Sequence, residues 1–223
     1  MPLFKTIHIN NNTTVFLWEI TENFNELFRQ ASLKDTSLTR LENMKSESHQ
    51  KGFLSVRMLL QHCGYTDFDL IYNELGKPHL KDNKHISISH SFDFAAIALS
   101  NKSIGIDIEQ VKAKVLRIAP RFMEMWHLEN LSESDQMKKA TVIWGTKEAI
   151  FKIKSEQGIS FPDHIFEKEF SLHDKKCNAE LHFNNSIENF DICFEEIETN
   201  IDQQTRQSYM LVCASNQAFF NTK

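Results

Sequence analysis

The chain has 223 residues, of which 41% are hydrophobic and 25% charged, so it can bury the core of one large domain or two small ones, and general disorder is excluded. Its net charge of −5 argues against general nucleic-acid binding. The sequence shows no signal peptide and no apolar run of the ~18 residues that a membrane span needs. Its four cysteines form no CxxC pair. We therefore expect a cytoplasmic protein whose thiols are reduced.

The first third of the chain is predicted to contain both strands and helices. Residues Thr13–Ile20 are β-branched and aromatic, which favours a strand. Thr21 is the expected N-cap of a helix that continues to about Ala31. The apolar residues of Ser37–Cys63 have helical spacing, and Asp69–Tyr72 is predicted to be a short strand.

Three strands are predicted to follow one another closely. Residues His85–Ser91 and Phe94–Ser100 flank a tight connection, and the sequence IGIDIE (Ile104–Glu109) comes after a short link. Successive strands with short links are typical of an antiparallel meander. We therefore expect these three strands to lie side by side.

The third of these strands carries two carboxylates. Its isoleucines alternate with Gly105, Asp107 and Glu109, so the two acids share the face opposite the isoleucines. Two adjacent carboxylates repel each other unless a cation or a shared proton lies between them. Such a pair of oxygen donors suits Mg²⁺.

A long helix supplies a third carboxylate. Ser132 is its expected N-cap, with Asp135 three residues on, and it is predicted to end near Gly158. Within it, WGTKEAIFK places Glu148 and Lys152 one turn apart on one face. Brought to the strand pair, these groups would form a metal site that handles phosphate. Four strands are predicted after the helix, at Phe166–Leu172, Glu180–Phe183, Phe190–Phe194 and Tyr209–Ala214.

Other cations could complete such a site. Lys77 lies in a Gly-Lys-Pro turn, His90 in Ser-His-Ser, and Lys147 and Lys152 flank Glu148. Ammonium and imidazole groups around a carboxylate-bound divalent ion neutralise a pyrophosphate. Each residue alone is a weak signal, since a single histidine is usually structural, and the chain has no Walker A motif and no GxGxxG.

Four motifs, GKPHL, ISISHS, IGIDIE and WGTKEAIFK, occur between residues 76 and 152 in an order and spacing that resemble the 4′-phosphopantetheinyl transferases, specifically the surfactin-synthetase type. The resemblance implies an α+β fold of two similar halves, residues 1–102 and 103–223, related by a pseudo-twofold axis, with coenzyme A in the cleft between them. It also implies a monomer that acts on an acyl or peptidyl carrier protein, with no nucleic-acid or membrane partner.

The activity implied by this resemblance is holo-[carrier protein] synthase. The 4′-phosphopantetheine arm of coenzyme A is transferred to a serine of the carrier, and adenosine 3′,5′-bisphosphate is released. The implied Mg²⁺ ligands are Asp107, Glu109 and Glu148. The implied catalytic residues are Glu148, which takes the serine proton directly or through a water, and Lys152, which neutralises or protonates the bridging oxygen. The implied contacts to coenzyme A are Lys77, Ser89, His90 and Lys51, whereas Arg57 fits a structural ion pair equally well.

One position departs from the family pattern. Gly145 stands where the family usually has Ser, Thr or Cys after the tryptophan. The glycine removes a hydroxyl and lowers the local helix propensity, but it changes no predicted metal ligand.

A docking surface for the carrier is also expected. Carrier proteins of this class are acidic and have a short apolar patch near the modified serine. The basic segment Lys112–Arg121 and the cluster of Met123, Met125 and Trp126 are candidates for this surface. A solvated basic face and a core edge explain the same pattern equally well.

Two other functions fit part of the pattern. A divalent-metal phosphodiesterase or nuclease uses similar sets of acids and lysines, although the acidic net charge and the lack of an evident basic groove count against it. The other is a relative that binds coenzyme A without turnover, and the presence of all three carboxylates and Lys152 argues against it. The sequence leaves open which carrier protein is modified.

Overall fold

The computed structural model describes residues 3–200, 206–216 and 219 of the chain. The chain divides into two compact units, Met1–Lys102 and Ser103–Lys223. Each unit combines helices with antiparallel strands, so the fold is mixed α+β. Among the helices in the described ranges, none has the length and apolar character that crossing a membrane requires.

The described residues of the first unit form six strands and three helices. The strands are β1 (Leu3–Asn10), β2 (Thr13–Glu19), β3 (Leu70–Tyr72), β4 (Pro78–Leu80), β5 (His85–Ser91) and β6 (Phe94–Ser100). The helices are α1 (Phe24–Gln30), α2 (Asp35–Glu42) and α3 (Glu47–His62). Four strands form an antiparallel sheet in the order β1-β2-β6-β5, and β3 pairs with β4.

One strand and one helix form the centre of this unit. All seven residues of β6 are buried, and so is every residue from Gly52 to Leu60 in α3. Elements that are apolar on all faces belong in the interior of a fold. Accordingly, α3 packs on β6, β2 and β5.

The predicted elements of this unit are present, with differences at the helix ends. The N-cap of α1 is Asn23 and not Thr21, because Asn23 and Glu26 form a reciprocal capping box. The stretch Ser37–Cys63 forms two helices, α2 and α3, separated by residues 43–46. Strand β1 is an element that the sequence pattern did not predict.

The second unit is built around one long helix and one sheet. Its strands are β7 (Gly105–Gln110), β8 (Ile165–Glu167), β9 (Lys176–Phe183), β10 (Ser186–Asn200) and β11 (Arg206–Ser215). Its α-helices are α4 (Lys114–Ile118), α5 (Glu133–Lys154) and α6 (Phe161–His164), and its 3-10 helices are Ala119–Arg121, Met125–Leu128 and Leu172–Asp174. The strands form a five-stranded sheet in the order β7-β11-β10-β9-β8. Four strands after α5 agree with the prediction, although Leu172 lies in a 3-10 helix.

The core of the second unit lies between α5 and the sheet. Helix α5 packs mainly on β7 and β11, and its buried apolar residues join Met210 and Val212 of β11 in one cluster. Ser132 caps the helix as predicted, since its Oγ accepts a hydrogen bond from the backbone N of Asp135 at 3.2 Å. The helix ends at Lys154, before the predicted end, where Ser155 adopts the left-handed conformation.

The predicted meander is wrong at its third strand. Strands β5 and β6 form the expected antiparallel pair, but β7 pairs with β11. The reason is that β2 and β5 already occupy both edges of β6. The strand that carries Asp107 and Glu109 is therefore held by a partner from the far end of the chain.

Candidate active site

Two glycines allow α5 to lie very close to β7 and β11. An ideal Cβ at Gly105 would lie 1.9 Å from the carbonyl oxygen of Ala149. An ideal Cβ at Gly145 would lie 2.8 Å from Cγ2 of Val212 and 3.6 Å from Oδ2 of Asp107. Carbon atoms normally stay about 3.5–4.0 Å apart, so glycine permits this approach at both places. As a result, side chains of α5 can reach the acidic face of β7.

The sequence analysis did not assign this role to Gly105. The signal was present, because a glycine inside a strand pattern indicates a bulge or a close approach of another backbone. The sequence could not indicate which segment approaches, because Ala149 is far away along the chain. The structure therefore adds Gly105 to the residues that shape the site.

Asp107 and Lys152 form an ion pair where α5 covers β7. Lys152 Nζ donates to Oδ1 of Asp107 at 2.8 Å and to the carbonyl oxygen of Ile106 at 2.9 Å. Asp107 is only 4% exposed, and Ile106 and Ile108 are fully buried. Gly105 and Asp107 both face α5, which agrees with the predicted alternation at these two positions, and at Asp107 this face is covered by the helix.

Glu148 lies near the same ion pair, and its surroundings disfavour the charged form of its carboxyl group. Its pKa is raised, first because burial disfavours the charged carboxylate and then because the charge of Asp107 repels it, while Lys152 partly offsets both effects. Two carboxylates that oppose each other's ionisation are the arrangement that a divalent cation relieves. Asp107, Glu148 and Lys152 are thus brought together, although they are far apart in sequence.

We expect the Glu148→Gln variant to be more thermally stable than the wild type at pH 7. The native carboxyl keeps its proton to higher pH than the unfolded one, so this group stabilises the fold least when it is charged. The free energy of unfolding of the wild type should therefore fall as the pH rises from below 4.5 through the raised pKa of Glu148. The variant has no carboxyl group at this position, so this fall in stability should be absent. Thermal unfolding followed by circular dichroism across this pH range should show a Tm higher by about 2–4 °C for the variant near pH 7.

Glu133→Gln is the matched control for this prediction. Glu133 is an exposed residue at the start of the same helix, so its replacement removes the same charge without relieving repulsion from Asp107. An equal gain in the control, or a Glu148→Gln variant less stable than the wild type, would contradict the assigned strain.

Glu109 and the metal site remain predictions. Glu109 lies two residues beyond Asp107 on β7 and is partly buried, opposite Met210 of β11. Within the described ranges, no three His, Cys, Asp or Glu side chains already stand in an arrangement that could hold a metal ion. Oxygen donors from Asp107, Glu109 and Glu148 have the right chemistry for Mg²⁺.

The predicted coenzyme contacts in the first unit fall into two places. The imidazole of His90 lies against α3, where an ideal Cβ at Gly52 would be 2.9 Å from its Cγ and Nδ1. The turn of α3 that carries Lys51 is therefore beside His90. The ring of His49 is also near, with centroids 6.0 Å apart. Ser89 is buried on β5.

Lys77 lies at the other end of β5. Its backbone N donates to Oδ1 of Asn73 at 2.9 Å, which holds the predicted turn. The pKa of His85 is lowered by burial and then by the charge of Lys77, so these two residues are neighbours. His85 and His90 are about 16 Å apart along the strand at ~3.3 Å per residue. Lys77 and His90 thus lie near opposite ends of β5.

Two other cations are structural. Lys147 is 2% exposed and its Nζ lies 2.9 Å from Oε2 of Glu167, so it faces the core, and the expectation that it neutralises phosphate beside Glu148 is wrong. Arg57 is buried and donates to Oδ1 of Asp67 at 3.0 Å. This confirms the structural reading of Arg57.

Comparison with known proteins agrees with the motifs. Residues 103–212 match the sequence model of the 4′-phosphopantetheinyl transferase superfamily. The chain is 33% identical over 127 residues to the 4′-phosphopantetheinyl transferase gsp of Aneurinibacillus migulanus, with 53% of each chain covered. It is 32% identical over 102 residues to the 4′-phosphopantetheinyl transferase Sfp of Bacillus subtilis (strain 168), which covers 44% of this chain and 45% of that one.

A third relative gives the same result. The 4′-phosphopantetheinyl transferase ffp of Bacillus subtilis is 35% identical over 94 residues, or 40% of this chain and 42% of that one. The chain thus spans about half the length, or less, of the curated relatives it matches. The resemblance that the motifs indicate is thus confirmed: residues 103–212 are similar to the 4′-phosphopantetheinyl transferase superfamily.

Proposed function

We propose that the protein transfers the 4′-phosphopantetheine arm of coenzyme A to a serine of an acyl or peptidyl carrier protein and releases adenosine 3′,5′-bisphosphate. The observation that carries this proposal is the convergence of Asp107, Glu148 and Lys152 within the segment that matches the family. The relatives' names point to the same reaction and give no support to a nuclease or a non-catalytic protein.

The carboxylates of Asp107, Glu109 and Glu148 would hold Mg²⁺ next to the pyrophosphate of coenzyme A. The bound ion would withdraw electron density from the phosphorus and stabilise the charge of the bisphosphate leaving group. The raised pKa of Glu148 supports its place in this set, because the repulsion from Asp107 that contributes to it is relieved when a cation is shared. That Glu109 would coordinate the same ion is part of the proposal.

The protein's own side chains would move the protons. Glu148, with a carboxylate made more basic by burial and by Asp107, would accept the proton of the carrier serine directly or through a water. Lys152 holds Asp107 in place and would neutralise negative charge that develops on the bridging oxygen. Lys152 already donates to Asp107. During the reaction one of its N–H groups would instead donate to the leaving group.

Coenzyme A would be held by the first unit as well as the second. Lys51 and His90 would bind one phosphate group beside α3, and Lys77 would contact a different part of the coenzyme at the other end of β5. Ser89, the neighbour of His90 on β5, would be a supporting contact to the coenzyme. In each unit an antiparallel sheet packs with a long helix, which supports the proposal that the two halves are similar.

The carrier would dock on the basic surface after β7. Lys112, Lys114 and Arg117 are exposed, and α4 turns its apolar residues toward the core of the second unit. Met125 and Trp126 are 45% and 46% exposed, and they would supply apolar contacts at this surface. Met123 is 7% exposed and belongs to the core cluster, so it would not contact a partner.

We expect reversal of Lys112, Lys114 and Arg117 to glutamate to slow carrier association about tenfold at low salt and to reduce its salt dependence. Opposite charges on partners accelerate encounter more than they strengthen the complex. Stopped-flow association at several salt concentrations would measure this effect. The control reverses three exposed lysines elsewhere in the second unit, Lys168, Lys175 and Lys176, which makes the same change in net charge. Equal rates in the two triple variants would place the docking surface elsewhere.

Mass spectrometry tests the proposed activity directly. Each candidate apo-carrier would be incubated with the protein, coenzyme A and Mg²⁺, and we expect one added phosphopantetheine arm on a serine of the true partner. Incubation with DNA or RNA should leave the nucleic acid intact. We further propose that the enzyme acts as a monomer in the cytoplasm, where its four free cysteines would stay reduced.

A further inference from the structure

Two cysteines of the second unit lie directly opposite each other on neighbouring strands. Strands β10 and β11 are antiparallel, and in their register Cys193 pairs with Cys213. Directly opposed residues of an antiparallel pair have Cα atoms about 4.5 or 5.5 Å apart. Both distances fall within the roughly 4.4–6.8 Å that a disulfide spans. The backbone therefore holds these two residues at a separation that suits a disulfide.

The side chains of Cys193 and Cys213 share one face of the sheet. The residues that flank both cysteines along their strands belong to the core between α5 and the sheet: Ile192, Phe194, Val212 and Ala214. Because successive side chains of a strand point to opposite faces, both cysteines face away from α5. The two thiols interact there, since a hydrogen bond with the Cys193 side chain, followed by burial, raises the pKa of Cys213 well above its usual value.

The two thiols differ in their access to solvent. Cys193 is partly exposed, whereas Cys213 is 1% exposed. Thiol–disulfide exchange requires that the attacking thiolate reach a sulfur of the oxidant. Cys193 is thus the thiol that an oxidant in solution meets first, and Cys213 is placed to react with Cys193.

The other two cysteines of the chain lack this arrangement. Cys177 lies opposite Ile192 and belongs to the core cluster, so its side chain is on the other face of the sheet from Cys193. Burial raises the pKa of Cys177 to about 12 and that of Cys63, at the end of α3, to about 11. A thiol with a high pKa forms little of the reactive thiolate. We therefore expect oxidation to select the opposed pair.

We propose that Cys193 and Cys213 form a reversible disulfide when the protein meets a small disulfide oxidant such as glutathione disulfide. The Cys193 thiolate attacks one sulfur of the oxidant, whose S–S bond breaks and releases one glutathione. Cys213 then attacks the Cys193 sulfur, and the bond between the strands forms as the second glutathione leaves. Two cysteine thiols are oxidised, one glutathione disulfide is reduced, and the two thiol protons end on the two glutathione molecules.

The disulfide would cross-link the sheet beside the candidate site. Strand β11 pairs with β10 on one side and with β7, the strand of Asp107, on the other. Neither cysteine is a predicted metal ligand, catalytic residue or coenzyme contact. The proposal is therefore independent of the phosphopantetheine transfer.

Thiol mapping of the full chain tests this inference. The reduced, folded protein would be incubated with glutathione disulfide, quenched with acid and unfolded, and its remaining thiols would be alkylated before mass spectrometry. We expect Cys193 linked to Cys213, with Cys63 and Cys177 alkylated. The linked form should exceed the glutathione adduct of Cys193 by about tenfold or more, because the opposed thiol has a high effective concentration. Excess reduced glutathione should reopen the bond in the folded protein. Alkylation of both Cys193 and Cys213, or an adduct that persists on Cys193, would overturn the proposal.

Two matched variants identify the cysteine that pairs with Cys213. No Lys or Arg separates Cys177 from Cys193, so one tryptic peptide contains both. Cys193→Ala should leave Cys213 alkylated after the same treatment, whereas Cys177→Ala should still form the link. Fragmentation of the linked wild-type peptides gives the same assignment without a substitution. A link from Cys177 to Cys213 in that spectrum, or a link that persists in Cys193→Ala, would show that the opposed pair is not the site of oxidation.

Discussion

Replacing Asp107 by asparagine should lower the rate of the proposed phosphopantetheine transfer by at least about a hundredfold while the second unit keeps its fold. The change removes one negative charge from the proposed metal site, and the loss of a single preorganised electrostatic contact typically reduces a rate by about 10²–10³. Asparagine has the same shape and can still accept from Lys152, whereas alanine would leave that ammonium without its carboxylate partner. Intact-mass time courses of the carrier at several Mg²⁺ concentrations would measure the loss.

Two comparisons separate this effect from simple damage to the fold. Glu198→Gln removes the same charge at an exposed position of the second unit and should transfer at the wild-type rate. Mg²⁺ should raise the Tm of the wild type, because a ligand bound only to the native state stabilises it, but it should raise the Tm of Asp107→Asn less. If Asp107→Asn transfers as fast as the wild type, Asp107 is not a metal ligand in the reaction.

Replacing Gly105 by alanine should destabilise the second unit by about 3 kcal/mol or more, which lowers its Tm by roughly 6–12 °C. The new methyl group would lie 1.9 Å from the carbonyl oxygen and 2.7 Å from the carbonyl carbon of Ala149. These are backbone atoms, so a change of rotamer cannot relieve the overlap, and α5 must move away from β7. Scanning calorimetry of the full chain would measure the shift.

Gly145→Ala is the matched control for this prediction. Its new methyl group would lie 2.8 Å from Cγ2 of Val212, a side-chain atom that can shift, and alanine gains about 1 kcal/mol of helix propensity over glycine. We therefore expect a much smaller change in Tm than for Gly105→Ala.

The position of α5 also links stability to activity. If α5 moves away from β7 in Gly105→Ala, Glu148 and Lys152 move away from Asp107. Transfer by the folded fraction of this variant should therefore fall, measured below its Tm. A destabilised variant that retains full transfer activity would show that the close approach serves stability alone.

The local elements of the fold could be predicted where the chain carries local signals. Strands β5 and β6 follow from their composition and short link, and the start of α5 follows from Ser132 and Asp135. The helix α1 was predicted two residues too early, because Thr21 and Asn23 are both good capping residues and only the reciprocal bonds with Glu26 distinguish them. Such ambiguities are settled by individual hydrogen bonds that composition does not reveal.

The sequence predicted which residue types the candidate site contains, but it did not predict how they are arranged in space. The spacing of Asp107 and Glu109, and of Glu148 and Lys152, follows from the periods of a strand and a helix. Lys147 lies directly before Glu148 in the same motif, yet it points into the core toward Glu167, because adjacent helix residues are about 100° apart around the axis. Which lysine faces the acids thus depends on how α5 is rotated against the sheet.

The sequence by itself determined which chemical groups the candidate site contains and which family the chain resembles, because four ordered motifs carry that information locally. Tertiary structure decided that β7 pairs with β11 and that α5 covers Asp107, since both depend on contacts between distant segments. It also decided that Lys147 lies in the core beside Glu167. The physical reason is the same in each case: burial and electrostatic repulsion depend on the distance between atoms in space, which local sequence patterns do not specify.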